Sequence, residues 1–299
     1  MRMSSFDWVM LLSLSLIWGG SFFLNAVILT ELPTLTLVAA RVSLAAIALW
    51  GFAAITGRLR GLTPAVWAAF AVMGFLNNAI PFTFIVHAQT SISSGLASIL
   101  NATTPLFTIL VAGVFLSDER FSVLRLAGVA IGLFGVVVMI GTDALDGIGS
   151  SVWAQMFSLG AAVSYGFASV FGRRFRRLGI DPIQVAMGQV TMSSLMLWPV
   201  AIVLDRPFDL AMPSVTVWGA LGVLSVICTA CAYILYFKVL ERAGATNISM
   251  VTFLVPVSAI LLGILFLGET LHISHVIGML LIGLGLIVID GRMFSRMGN

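Results

Sequence analysis

SGLASILNATTPLFTILVAGVFLSDE, residues 94–119, and ATNISMVTFLVPVSAILLGILFLGE, residues 245–269, are two versions of one pattern. On a helix, Ser94, Ser98, Asn101, Pro105 and Thr108 fall at i, i+4, i+7, i+11 and i+14, a small polar stripe broken by a proline on an otherwise apolar rod. A shift of about 151 positions puts Ala245, Ser249, Thr252, Pro256 and Ala259 on the matching stripe, and each segment ends in a carboxylate, Glu119 or Glu269. The chain is doubled.

Both copies are too apolar for a soluble helix, and so is the rest of the chain. Hydrophobic residues fill 60% of 299 positions and charged residues 9%, with a mean hydropathy of +1.12. That balance belongs to an integral membrane protein. A span needs about 20 apolar residues, and the sequence offers ten such runs, near 7–28, 34–56, 64–86, 91–116, 122–141, 152–172, 182–204, 214–240, 245–268 and 272–290. Barrel strands would be shorter and alternating, so the class is all-α. The first run carries one preceding Arg and no small-residue cleavage site, so it is expected to be retained rather than removed as a signal peptide. Cys228 and Cys231, the only cysteines, lie inside the eighth run and are expected to share one packing face, with no disulfide framework.

Charge sets the expected orientation. With the N-terminus cytoplasmic, Arg58, Arg60, Arg120, Arg125, the Arg173–Arg177 cluster, Lys238, Arg242, Arg292 and Arg296 all fall inside and Arg206 stands alone outside. Positive-inside bias therefore places both termini in the cytoplasm, and the expected location is the bacterial plasma (inner) membrane. The basic loops suit anionic lipid headgroups. Nucleic acid would need those cations on one soluble face beside stacking aromatics, and is not an expected partner.

Ordered matches extend the repeat: Trp18-Gly19 with Tyr165-Gly166, Pro33 with Pro182, Trp67 with Trp218, and Gly128, Gly135 and Gly141 with Gly278, Gly285 and Gly291. Five spans is an odd number, so the second half enters from the opposite side. The expected architecture is ten transmembrane helices as two inverted five-helix repeats, residues 1–146 and 147–299, around a central cavity. Exchange of two slightly different half-shapes gives alternating access, so function leans to transport.

Leu16-Ile17-Trp18-Gly19-Gly20-Ser21-Phe22, Ala40-Arg41-Val42 and the Pro105–Glu119 and Pro256–Glu269 pairs resemble the drug/metabolite transporter superfamily in its ten-helix EamA group. Within it the chain looks most like the YddG-type exporters of aromatic amino acids. The resemblance implies a basket of helices whose cavity is lined mainly by the first, third, fourth, sixth, eighth and ninth, with the fifth and tenth as braces. Where the first half has Arg41 the second has Gln189, so a charge role there is not symmetrical.

Polar groups deep in a bilayer usually face a cavity or another helix. The expected substrate-binding set is Trp18, Asn77, Asn78, Asn101, Thr104, Tyr165, Thr229, Tyr233, Ser249, Thr252 and Phe253, a neutral, hydrogen-bonding, aromatic lining to which Phe22, Asn25, Ser98 and Tyr236 also belong. Pro105 and Pro256 are hinge candidates, or kinks absorbed by packing. Arg41 has two readings: a structural partner, Glu31 first among them, or the carboxylate of a substrate. Glu119 and Glu269 are expected to cap the helix that follows each, with a gate contact as the alternative.

Absences narrow the substrate. All twelve carboxylates fall at span ends or in loops, and His87, His272 and His275 lie near the outer ends. No mid-membrane proton carrier is present, so transport is expected to be uncoupled or exchange-driven. Multiply anionic cargo would want several intramembrane cations, and cationic drugs a buried carboxylate. Small neutral or zwitterionic metabolites fit, amino acids first, with other metabolites or drugs as the alternative cargo. No cofactor, metal site or obligate protein partner is expected. A membrane-embedded enzyme lacks its motifs, with no Gly-x-Ser-x-Gly or His-Glu-x-x-His, and a channel-like pore is the remaining rival.

Overall fold

The computed structural model describes residues 4–59, 61–116, 122–140, 150–244, 248 and 250–290, and the regular elements among them are helical. They are α1 Ser5–Ile28, α2 Thr34–Ile55, α3 Pro64–Ala88, α4 Ser94–Phe115, α5 Val123–Ile140, α6 Ser150–Arg177, α7 Pro182–Leu204, α8 Val215–Ala243, α9 Val251–Leu267 and α10 Ile273–Asp290. Helices α1 to α8 are long and apolar enough to cross a membrane, while the apolar stretches of α9 and α10 are shorter. The chain is a multi-pass integral membrane protein.

Starts are written in side-chain oxygens. The Ser4 hydroxyl accepts the Asp7 N–H while the Asp7 carboxylate accepts from Ser4, a capping box at the head of α1. Thr63 and Ser214 cap α3 and α8 at matching places in the two halves, each ahead of a run free of charge.

The repeat reappears in the packing. Helix α2 lies on α7, α5 on α10, α1 on α9, and α4 on α6. The duplicated aromatic–glycine pair explains two of these contacts. A Cβ on Gly19 would meet the backbone of Val255 in α9 at 2.8 Å, and one on Gly166 would meet the backbone of Phe107 in α4 at 3.1 Å. Each glycine lets a neighbouring helix touch backbone, and the aromatic beside it points to the interior. A Cβ on Gly128 of α5 would lie 2.5 Å from the Gly285 carbonyl of α10. The glycine-rich faces of α5 and α10 are thus spent on each other within one chain.

Three helices depart from α geometry. Residues Phe75–Ala79 of α3 and Val226–Cys231 of α8 are π-helical. In α3, Ile80 N–H bonds the Phe75 carbonyl just before Pro81, which has no N–H to give. In α8 no proline is present, and the Thr229 hydroxyl donates to the Leu224 carbonyl at 2.9 Å. Helix α4 breaks at Ala102–Thr103, with Pro105 in the first turn of its second segment, where a missing N–H is harmless. Helix α9 instead runs unbroken through Pro256. The expected pair of kinks is therefore one break and one continuous helix.

Candidate functional site

Between the halves lies a cavity of about 1040 Å³. It opens at the end of the molecule that carries Arg58, Arg173, Arg176 and Arg242, where its wall includes Arg173, Arg176 and residues 179–182 that follow α6. At the far end it stops at Asn25, Ile85 and Ser98.

Of the residues expected in the lining, Trp18, Arg41, Asn77, Asn101, Thr104, Tyr165, Thr229, Tyr233 and Thr252 all face this cavity. Asn78 does not. It is fully buried, and its amide nitrogen donates to the Tyr233 hydroxyl at 2.8 Å, so it orients a cavity residue from behind. Phe253 is 39% exposed and off the cavity, because Thr252 and Val255 set the cavity-facing side of α9 and Phe253 stands about 100° round the helix from Thr252. Ser249 lies outside the described residues, as does Glu119. Pro105 sits at the α4 break beside Thr104, and Pro256 is buried in α9 and does not line the cavity, although its neighbour Val255 does.

The deep wall is a cross-linked polar patch. Arg41 Nε donates to Thr229 Oγ1 at 3.0 Å, and its guanidinium carbon lies 3.9 Å from the centre of the Phe82 ring. Asn77 Nδ2 donates to Gln189 Oε1 at 3.1 Å and reaches the Tyr233 hydroxyl at 3.3 Å. So Arg41 and Gln189, the unlike counterparts, each hold the π-helical segment of the opposite half. The π turn explains why Asn77 and Thr229 project here rather than along an α-helical stripe.

Glu31 is not the partner of Arg41. Its carboxylate accepts the Ser214 N–H at 2.6 Å, tying the α1–α2 turn to the head of α8. Ion pairs in the described residues are Arg58 with Asp181 and Arg242 with Asp7, both 2.9 Å and both at the basic end. Arg41, only 5% exposed, has no described carboxylate within ion-pair distance. A buried charge without a counter-charge is costly.

The far end is sealed by bonds that the sequence pattern does not signal. Asn25 Nδ2 donates to Gln89 Oε1 at 3.0 Å, and Gln89 Nε2 donates to the Phe22 carbonyl at 2.8 Å and Ser94 Oγ at 3.1 Å. The Glu269 carboxylate accepts the N–H groups of Ser94 at 2.7 Å and Gly95 at 3.1 Å. It therefore caps α4, in the other half of the chain, and not the helix that follows it. Two further expectations are corrected. Cys228 is buried on the cavity wall and Cys231 exposed, so the pair does not share a packing face. Arg173 and Arg176 line the mouth rather than serving only as a lipid-facing loop.

A model of the EamA-like transporter family matches residues 7–141 and again residues 152–290. The chain is 27% identical over 289 residues to the "Uncharacterized transporter YoaV" of Bacillus subtilis (strain 168), covering 96% of this chain and 97% of that one. It is 28% identical over 265 residues to the "Uncharacterized inner membrane transporter YedA" of Escherichia coli (strain K12), covering 87% and 83%. A "Probable amino-acid metabolite efflux pump" of the same strain is 28% identical over 301 residues, covering 96% and 95%. A solved crystal structure shares the fold with a TM-score of 0.66 at 20% identity, covering 95% of this chain and 97% of that one.

Proposed function

Because the chain belongs to the EamA-like transporter family, we propose that it exports small zwitterionic metabolites, aromatic or other large neutral amino acids first, by alternating access. The proposal takes the ten helices as two inverted five-helix repeats with the basic end and both termini in the cytoplasm. On that placement the cavity is open inward and sealed outward, the loading state of an exporter.

One observation carries the substrate class: a single buried guanidinium, Arg41, on a deep wall that is otherwise neutral and aromatic, with no described carboxylate beside it and the other lining charges, Arg173, Arg176 and Asp181, at the mouth. One cation suits one carboxylate. Trp18 and Tyr236, with ring centroids 5.6 Å apart, offer apolar faces to a cargo side chain. The similarity to a probable amino-acid metabolite efflux pump points the same way. Without a carboxylate in the lining deeper than Asp181, the cycle runs on the substrate gradient or on exchange rather than on protons.

Flux of a labelled amino-acid panel in proteoliposomes tests this. Saturable, counterflow-stimulated movement of phenylalanine, tryptophan or leucine, lost in Asn101→Ala, is expected. Uphill uptake driven by a pH gradient would overturn the uncoupled cycle, and no movement of any amino acid would overturn the substrate class.

A further inference from the structure

We propose that Tyr165 is a specificity-determining residue whose hydroxyl donates to the cargo carboxylate beside Arg41, so that one anionic group is read by donors from both halves of the chain. The inference rests on the amino-acid reading and adds the second contact by which a carboxylate is distinguished from a carboxamide.

Arg41 is aimed with its fork free. The Thr229 hydroxyl gives its hydrogen to the Leu224 carbonyl at 2.9 Å, a group that only accepts, so Thr229 meets Arg41 Nε as an acceptor at 3.0 Å. The terminal nitrogens Nη1 and Nη2 have no partner among the described residues, and neither belongs to the buried polar atoms that are shut off without one.

Three titratable side chains on the cavity wall stand close enough to Arg41 to feel its charge: Tyr165, Cys228 and Tyr233. Two of them are poorly placed to help it. The Tyr233 hydroxyl already lies against the amides of Asn77 and Asn78, at 3.3 Å and 2.8 Å, and Cys228 offers a thiol, a weak donor. Tyr165 differs from both. It is half-buried on the cavity wall, and its hydroxyl has no hydrogen-bond partner among the described residues. That oxygen is also absent from the buried polar atoms that are shut off unpaired, so it opens on the ligand space.

The neighbouring charge decides which partner suits this hydroxyl. A phenol both donates and accepts, but an ammonium placed here would be repelled by Arg41, whereas a carboxylate is attracted. A carboxylate has about four acceptor directions on its two oxygens, so a guanidinium fork leaves room for a further donor. The phenol supplies it without a second cation, and the match of one positive to one negative charge is kept.

The backbone places the ring firmly. A Cβ on Gly166, the next residue, would meet the Phe107 backbone of α4 at 3.1 Å, so Tyr165 rides on a close helix contact. Its repeat counterpart is Trp18, whose ring pairs with Tyr236 at 5.6 Å. The duplicated aromatic position has thus divided its roles. Trp18 and Tyr236 offer ring faces to the cargo side chain, and Tyr165 and Arg41 hold the carboxylate.

The test is binding of phenylalanine and phenylalaninamide to the purified full-length protein in nanodiscs, in wild type, Tyr165→Phe, Arg41→Gln and the double variant. Wild type is expected to hold phenylalanine at least tenfold tighter than the amide. Tyr165→Phe keeps the ring and removes only the hydroxyl. It is expected to weaken phenylalanine roughly tenfold, the scale of one hydrogen bond to a charged group, and the amide less than about twofold. In the Arg41→Gln background the same change is expected to cost phenylalanine much less, because the two donors share one group. Equal weakening of both ligands by Tyr165→Phe would make Tyr165 a packing residue and overturn the proposal. No loss of phenylalanine in that variant, or the full loss persisting without Arg41, overturns it too. Equal binding of the two ligands by wild type overturns the subsite while leaving amino-acid export standing. Binding of neither overturns the amino-acid reading and the subsite with it.

Discussion

Arg41 on α2 and Thr229 on α8 are joined across 188 positions by a 3.0 Å bond from Nε to Oγ1, while the guanidinium carbon lies 3.9 Å from the centre of the Phe82 ring. That bond occupies one donor and leaves the fork for a ligand. Arg41→Gln is expected to cut transport of amino acids roughly tenfold to a hundredfold, the scale of a charge-assisted hydrogen bond of about 1.5–3 kcal/mol, and to cut transport of their amides much less. Thr229→Val, which keeps the charge and loosens its aim, is expected to have the smaller effect. Paired flux measurements on phenylalanine and phenylalaninamide decide it, and equal losses for both would assign Arg41 a structural role.

Glu269 binds the first two N–H groups of α4, and Ser94, which it holds, also supports the Gln89 and Asn25 seal. A carboxylate at a helix N-terminus contributes about 0.3–1 kcal/mol there, too little to fold a protein and enough to bias two states of similar energy several-fold. Glu269→Ala is expected to raise the labelling rate of a Thr104→Cys probe by a membrane-impermeant thiol reagent added from the sealed side, in a background lacking Cys228 and Cys231. Labelling from the basic side is expected to fall. An unchanged ratio of the two rates would make Glu269 a cap without a part in sealing.

Span positions, the doubling and most of the lining were readable because each depends on a residue's own chemistry: a Trp or Asn deep in an apolar run has few places to go. What escaped depends on pairs distant in sequence. Nothing in GETLH marks Glu269 as the cap of a helix 175 positions away, and nothing around Gln89 marks a seal. Periodicity misled where the backbone left the α-helix. In α9 Thr252 and Val255 took the cavity side and left Phe253 on the outer surface, and the π segments carry Asn77 and Thr229 on the cavity wall while Asn78 went behind Tyr233.

The α5–α10 seam predicts a sharp contrast between glycines of one helix. A Cβ at Gly285 would press on the backbone of α5 around Gly128 and Gly132, whereas one at Gly283 meets nothing within 4 Å. Gly285→Ala is expected to destabilise the protein by about 1–3 kcal/mol, the usual penalty for overpacking, and Gly283→Ala to leave it unchanged or slightly firmer through helix propensity. Thermal unfolding in detergent reads both, and similar midpoints for the two variants would show that the helices separate freely.

Acid sensitivity should trace to the turn between α1 and α2. The Ser214 N–H at 2.6 Å, with its hydroxyl, holds the Glu31 carboxyl below the ordinary glutamate range. A carboxylate whose folded pKa is depressed adds stability above its unfolded value, near 4.3, and that contribution is lost as pH falls through the folded value. Glu31 is solvent-exposed, so the effect is small and screened by salt. Wild type is therefore expected to lose melting temperature between about pH 5 and pH 3, and Glu31→Gln to begin lower at pH 7 and lose less over that interval. High salt should shrink the difference between them. Parallel melting curves across the range would assign the acid loss to other carboxylates and leave Glu31 with no linkage to folding.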